Sequence, residues 1–237
     1  MVMVHELTHA LQDQHFKLGD KEKALMRDTD ANLAYHSVLE GEAVLVMVAH
    51  ILSKSRLELD EVVKDDAMLG MITSAAQAEQ MIDPSTPKYF AEMLKFPYLD
   101  GLKFVVAAYR RGGWKELDRV HANPPRTTRE ILHPDDYFNR TFKPQPFDDK
   151  KPATAISTEH LGEFHWAFLL GADNAKGWVN DRVVVSRDGH VEASTTWESP
   201  ERAAGFAAAY EAFLGKRGIK AVVKHEGNNA TASYTAR

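Results

Sequence analysis

The chain opens on Met1-Val-Met-Val-His5-Glu6-Leu7-Thr8-His9-Ala-Leu-Gln12-Asp-Gln-His-Phe16, and inside that stretch lies the pattern His5-Glu6-Leu7-Thr8-His9. Val2, Val4, Leu7, Ala10, Leu11 and Phe16 recur at helical spacing, and no Pro or Gly interrupts the run before Gly19. That apolar spacing predicts a helix over the stretch. Histidines at i and i+4 share one helix face, so His5 and His9 can reach one metal ion. Neutral imidazole suits Zn²⁺, whose catalytic sites use three protein ligands and leave a fourth position open. Glu6 stands beside that face, placed to take a proton from an attacking water. The competing reading is a core helix carrying two hydrogen-bonded or solvated histidines.

A third ligand is sought downstream. Asp28, Thr29 and Asp30 are cap candidates for a long helix over residues 31–54. Leu33, Val38, Leu39, Val44, Leu45, Met47, Val48 and Ile51 cover most of its circumference, so it is expected to be buried. Glu40 and Glu42 stand out there, because a carboxylate is rarely buried unless paired or bound to metal. Glu42 fits a water-facing rim, which leaves Glu40 as the metal candidate. Gly41 costs about 1 kcal/mol of helix propensity against Ala, a cost explained by close approach of another backbone, such as the first helix. Thirty residues separate His9 from Glu40, enough for a turn and a returning helix. His36, one turn before Glu40, could hydrogen-bond that carboxylate from behind.

Composition narrows the class. The chain has 237 residues, 44% hydrophobic and 27% charged, with a net charge of −5 and no cysteine. That profile fits an ordinary globular protein of one or two domains. No basic stripe appears, which argues against a nucleic-acid partner. Disulfides and thiolate ligands are excluded. No signal peptide or transmembrane segment is recognised, since the longest apolar run, Ala43–Ala49, is too short to span a bilayer. A metal helix at a chain end frays, so either the true start lies upstream or something else holds this end down.

Further along, residues 17–23 read as a polar turn and 59–81 as a third helix, in which Met68, Met71, Ile72 and Met81 fill core. Residues 89–94 and 101–111 read as two helices, the second ended by Gly112-Gly113, and 114–121 as a short one stopped by Pro124-Pro125. Residues 139–155 form a linker rich in Pro, Asp and Lys, which suggests domains at 1–150 and 151–237. In the second, Ser157 or Thr158 caps a helix to Leu170. Strands follow at 181–186 and 191–197 around an Asp188-Gly189 turn, then a helix capped by Ser199 and running to Lys216, and strands at 219–223 and 230–234. Asp181-Arg182 reads as a structural salt bridge. The fold class is α+β.

The run His5–Phe16, with Leu39-Glu-Gly-Glu-Ala43, resembles the gluzincins, the thermolysin-like zinc metallopeptidases. Phe96–Val105, Gly112–Trp114, Asn123–Phe138, Gly177–Arg182 and Thr195–Tyr210 extend the likeness to a group of bacterial, often secreted, metallopeptidases. The resemblance implies a zincin-like, mostly helical N-terminal part in which the motif helix packs on a Glu-bearing helix. It implies Zn²⁺ on His5, His9 and Glu40, Glu6 as general base, a peptide or protein substrate, and an exported or periplasmic setting. In gluzincins a His or Tyr donates to the oxyanion of the tetrahedral intermediate. His133 is the candidate here, with Arg126, Tyr98 and Tyr137 as rivals. Gluzincins also carry a β-sheet before the motif helix, and this sequence opens on the helix itself. That departure motivates an alternative, a metal- or peptide-binding relative without turnover. A third reading is a di-iron carboxylate protein, from the pairs Glu6-x-x-His9 and Glu130-x-x-His133.

Overall fold

The apolar run around Gly41 folds as a single helix, α3 (Thr29–Leu52), in the computed structural model, which describes residues 2–54, 57–68, 70–71 and 83–236. Before it come α1 (Val2–Phe16) and α2 (Leu18–Leu25). The predicted polar turn at 17–23 is thus helical, and it starts after Lys17, whose φ of 54° breaks the backbone between the two. After α3 come α4 (Leu59–Val62), α5 (Lys88–Gly112), α6 (Trp114–Ala122), α7 (Thr128–Leu132) and α8 (Pro134–Phe138). Of the helix expected over 59–81, the part from Ile72 to Met81 lies outside the described residues.

The chain divides into two compact units. The first comprises residues up to Ala24, Ala31–Arg126 and Glu130–Arg140. Its core is built from Tyr35, Val38, Leu45, Leu102, Phe104, Val105, Leu117 and Val120. α3 is long and apolar enough to cross a membrane by length and composition, and half of that window is buried. Within this unit it is the core helix, and its two glutamates are bonded to histidines.

Gly41 explains how tightly α3 is held. A Cβ there would overlap the carbonyl of Gly101 on α5, and a Cβ on Gly101 would overlap the carbonyl of Ser37. The close neighbour is therefore α5, not the first helix. This contact also bears on the two helices expected at 89–94 and 101–111. They are one, running through Pro97, because Gly101 serves as a packing surface rather than a break. Gly113, with φ 63°, ends it as expected.

The second unit comprises Leu25–Asp30, Thr127–Arg129 and residues from Thr141 onward, so the boundary expected at 150 falls at 141, with two short segments added. Its five strands are β1 (Ala155–Glu159), β2 (Trp178–Ser186), β3 (His190–Trp197), β4 (Ala221–Glu226) and β5 (Asn229–Thr235). They form one antiparallel sheet in the order β1-β2-β3-β5-β4. Asp188-Gly189 turns between β2 and β3 with Gly189 at φ 82°. The remaining helices are α9 (Gly162–Leu170), α10 (Ala172–Ala175) and α11 (Pro200–Lys216). Ser199 caps α11 by accepting the Arg202 N–H, as its position before the helix predicted. Trp166, Trp178, Trp197, Phe206, Tyr210 and Leu214 fill the core between α11 and the sheet. This unit and the helical first one make an α+β protein.

Two expectations fail here for physical reasons. Ser157 and Thr158 cap no helix; they pair with Val185 and Val184 in β1. Gly162, at φ 75°, places the backbone in the left-handed region ahead of α9, so the helix cannot continue upstream. Asp181 makes no salt bridge with Arg182. Its carboxylate accepts four hydrogens, from the backbone of Leu161 and Gly162 and from the indoles of Trp166 and Trp178, at 2.8–3.0 Å. Arg182 instead donates to the carbonyls of Asp148 and Lys150.

Asp30 lies fully buried in the same unit, one carboxylate oxygen accepting from the backbone and hydroxyl of Thr128. Burial pushes its pKa from 3.8 up to about 7, against the pull of His160 and Thr128. His160 is pulled down by burial, yet its bond to Asp28 and the charges of Asp181, Asp30 and Asp28 raise it from 6.5 to about 9. Both groups bind protons more tightly folded than unfolded. Their contributions are therefore full below pH 3.8 and 6.5 respectively, and are lost as pH rises through about 7 and about 9. The second unit is expected to lose stability across that window. Asp30→Asn, neutral throughout, should make the decline shallower in thermal melts run at several pH values, and an unchanged slope would remove Asp30 from the explanation. In the first unit, Gly101→Ala should cost about 1–3 kcal/mol in denaturant unfolding, because backbone cannot yield as a side chain can.

Candidate metal centre

The helix α1 buries a face other than the one its leucines suggest. Leu7 and Leu11 are 58% and 55% exposed, and Met3 is exposed with them. The inward face carries His5, Thr8, His9, Gln12 and Phe16, and Gln12 is only 3% exposed. Both sets repeat at helical spacing, so periodicity alone could not choose between them. What decides is that each inward polar group has a partner: Thr8 donates its hydroxyl to the Val4 carbonyl, and the others meet groups on α3.

His5, His9 and Glu40 converge. The His5 Nε2 lies 3.0 Å from a Glu40 carboxylate oxygen and 3.0 Å from the His9 Nε2. His9 Nε2 lies 3.4 Å from the same oxygen. Two donors each about 2.0–2.1 Å from a tetrahedral Zn²⁺ stand about 3.3 Å apart, so these three separations fit three corners of one zinc polyhedron. The three side chains are partly exposed, leaving one side open. Among the described residues this is the group of histidine and acidic side chains with metal-holding geometry.

The electrostatics suit a cation. Burial pushes the Glu40 carboxyl up, but the hydrogen bonds from His5 and His9 hold it down at about 2, so it is ionised. His9 is raised chiefly by its bond to Glu40, against burial, with help from Gln12 and the charge of Glu6.

Around the cluster, the sequence candidates separate. Glu6 is exposed on α1 beside the histidines. Tyr98, from α5, stacks on His5 with ring centroids 5.9 Å apart. Its hydroxyl is pushed up to about 12, first by burial and then by the charge of Glu40 and a hydrogen bond to it, so it stays a donor. The other candidates for the oxyanion role stand differently. The Tyr137 hydroxyl donates to the Asn123 carbonyl. Arg126 donates its backbone N–H to Glu130. His133 occupies the N-cap position of α8, half-buried in the turn from α7. His36 turns from Glu40 altogether, bonding to the Asn32 carbonyl and facing Glu22 at 3.6 Å. Glu130 sits in a five-residue helix with its carboxylate on the Arg126 backbone, away from the pairing that a di-iron site requires.

Glu42 does not face water. It is largely buried and accepts from the Gln12 amide at 2.7 Å and from His121 Nε2 at 2.6 Å. His121, fully buried at the end of α6, stacks face to face on Phe16 at 4.0 Å. Gln12 also donates to the Leu39 carbonyl at 3.2 Å, and its oxygen meets His9 Nδ1 at 2.8 Å. The sequence held one signal of this network: Gln12 follows His9 by three positions, on the same helix face.

Among known proteins, a family model described as a domain of unknown function (DUF8575) matches residues 147–236, within the second unit. No curated protein matches the chain, and no solved structure does.

His5→Ala, His9→Ala and Glu40→Ala should each abolish tight zinc binding, read as zinc per chain by elemental analysis after dialysis against a weak chelator. Zinc retained in Glu40→Ala would move the third ligand to another residue.

Proposed function

We propose that the chain is a zinc-dependent peptidase of the gluzincin type that hydrolyses peptide or protein substrates. The reading is carried by the convergence of the His5 and His9 Nε2 atoms with one oxygen of Glu40 at zinc-ligand separations. A bound Zn²⁺ would supply a water acidified to a pKa of about 7 and would polarise the scissile carbonyl. Glu6 accepts the proton from the attacking water and passes it to the leaving amine. Its exposure leaves it reachable from solvent, and the adjacent helix turn holds it near His5 and His9. The Tyr98 hydroxyl, kept protonated by its surroundings, donates to the oxygen on which negative charge develops. That role passes from His133 to Tyr98, because Tyr98 is the candidate set against His5.

Glu6→Gln should retain one zinc per chain and lose about 100-fold or more in hydrolysis of an unfolded protein substrate. Tyr98→Phe should keep zinc and lose about 10²-fold in kcat. Zinc binding with no hydrolysis by the unaltered chain would make it a metal-binding relative instead, and a chain that takes no zinc would end both readings.

A further inference from the structure

Three polar side chains continue behind His9 into the protein, and none of them touches the place where a metal would sit. His9 meets Gln12, Gln12 meets Glu42, and Glu42 meets His121. The direction of every hydrogen in this chain can be worked out. The end of the Gln12 amide that faces α3 lies within bonding distance of two acceptors, the Leu39 carbonyl and a Glu42 oxygen. Only the NH₂ can be there, so the amide oxygen must face His9. An oxygen at that position accepts, which requires a hydrogen on His9 Nδ1. In the neutral ring that is its one N–H, leaving on Nε2 the lone pair a metal would take, while donation from Nε2 to Glu40 needs the second hydrogen of the imidazolium. The Glu42 oxygen accepts from both Gln12 and His121, so His121 carries its hydrogen on Nε2.

We propose that Gln12 is the positioning residue of the metal site, holding His9 in the Nδ1–H tautomer, with Glu42 fixing which way the Gln12 amide faces. This inference rests on the metal reading for its purpose and on hydrogen-bond geometry for its content. An amide is the group this position needs. It offers an acceptor to the imidazole and donors to two acceptors on α3 at once, which no hydroxyl, carboxylate or ammonium can do from one side chain. Burial strengthens the constraint, because a flipped amide would set an oxygen against two oxygens with no water to relieve it. His121 adds a second donor to Glu42 from a position with no access to solvent, and Phe16 stacks on its ring to keep it in place.

The test uses the full chain and two readouts. In zinc-free protein at alkaline pH, ¹⁵N–¹H correlation spectra of the histidine rings report the tautomer of neutral His9. The unaltered chain should show Nδ1–H, and Gln12→Met should lose that preference. In competition with a chelator, Gln12→Met should bind Zn²⁺ about 10–100-fold more weakly, the range for loss of a partner behind a metal-bound histidine. Glu42 variants serve as a second series in case Gln12→Met folds poorly. Glu42→Gln keeps an acceptor oxygen for both donors and should stay within about threefold of the unaltered affinity, while Glu42→Met should fall by about tenfold or more. An unaltered tautomer and affinity in Gln12→Met overturns the proposal, as does Nε2–H on His9 in the starting protein. Absence of zinc binding by the unaltered chain would overturn the metal reading alone, since the tautomer spectra judge Gln12 without any metal.

Discussion

Two glutamates in the middle of the long apolar helix α3 impose the arrangement of the N-terminal unit. Glu40 and Glu42 sit one residue either side of Gly41, and an ionised carboxylate withdrawn from water without partners costs several kcal/mol. Each must therefore find hydrogen-bond donors among the elements packed on α3. Glu40 finds them in His5 and His9, and Glu42 in Gln12 and His121. These needs turn α1 so that its polar face points inward and its leucines point out. The apolar surface left exposed by that choice is offset by the charges satisfied.

The same logic governs the second unit, where it serves no visible chemistry. Asp181 gathers two backbone N–H groups at the start of α9 and two indole N–H groups from Trp166 and Trp178. One buried carboxylate thereby joins a helix start to two of the largest core side chains. Asp30 meets the constraint in another way: with Thr128 as its partner, it relieves the cost of burial by holding its proton to about pH 7.

How much of this was legible depends on whether local pattern or distant contact decides. The convergence of His5, His9 and Glu40 was readable, because two histidines at i, i+4 and a pair of glutamates in an apolar helix are local facts with few chemical explanations. Gly41 was readable as a close approach, yet its partner was not, since nothing in the residues nearby distinguishes α1 from α5. The inward face of α1 was not legible, because periodicity offers Leu7 and Leu11 for the core as readily as Gln12 and the histidines. Here Gln12 and the histidines win it through partners 27 to 35 positions away. β1 was misread as the start of a helix because Ser157 and Thr158 suit a cap as well as they suit a strand. Only pairing with β2 and the left-handed Gly162 settle it.

The Gly41–Gly101 crossing has a consequence for how the helices find their places. Two helices of bulky residues can slide along each other through several registers of similar energy. Here the contact closes fully only where a residue without a side chain meets another, with the Ser37 carbonyl against Gly101. Sliding α5 by one turn would bring Pro97 or Val105 to that carbonyl, and neither can approach so near. The correct register is thus the one in which the helices can close, and in that register Tyr98, three residues before Gly101, stands beside His5. A pair of glycines with no chemistry of their own sets the alignment that places a tyrosine of α5 against a histidine encoded some ninety residues earlier.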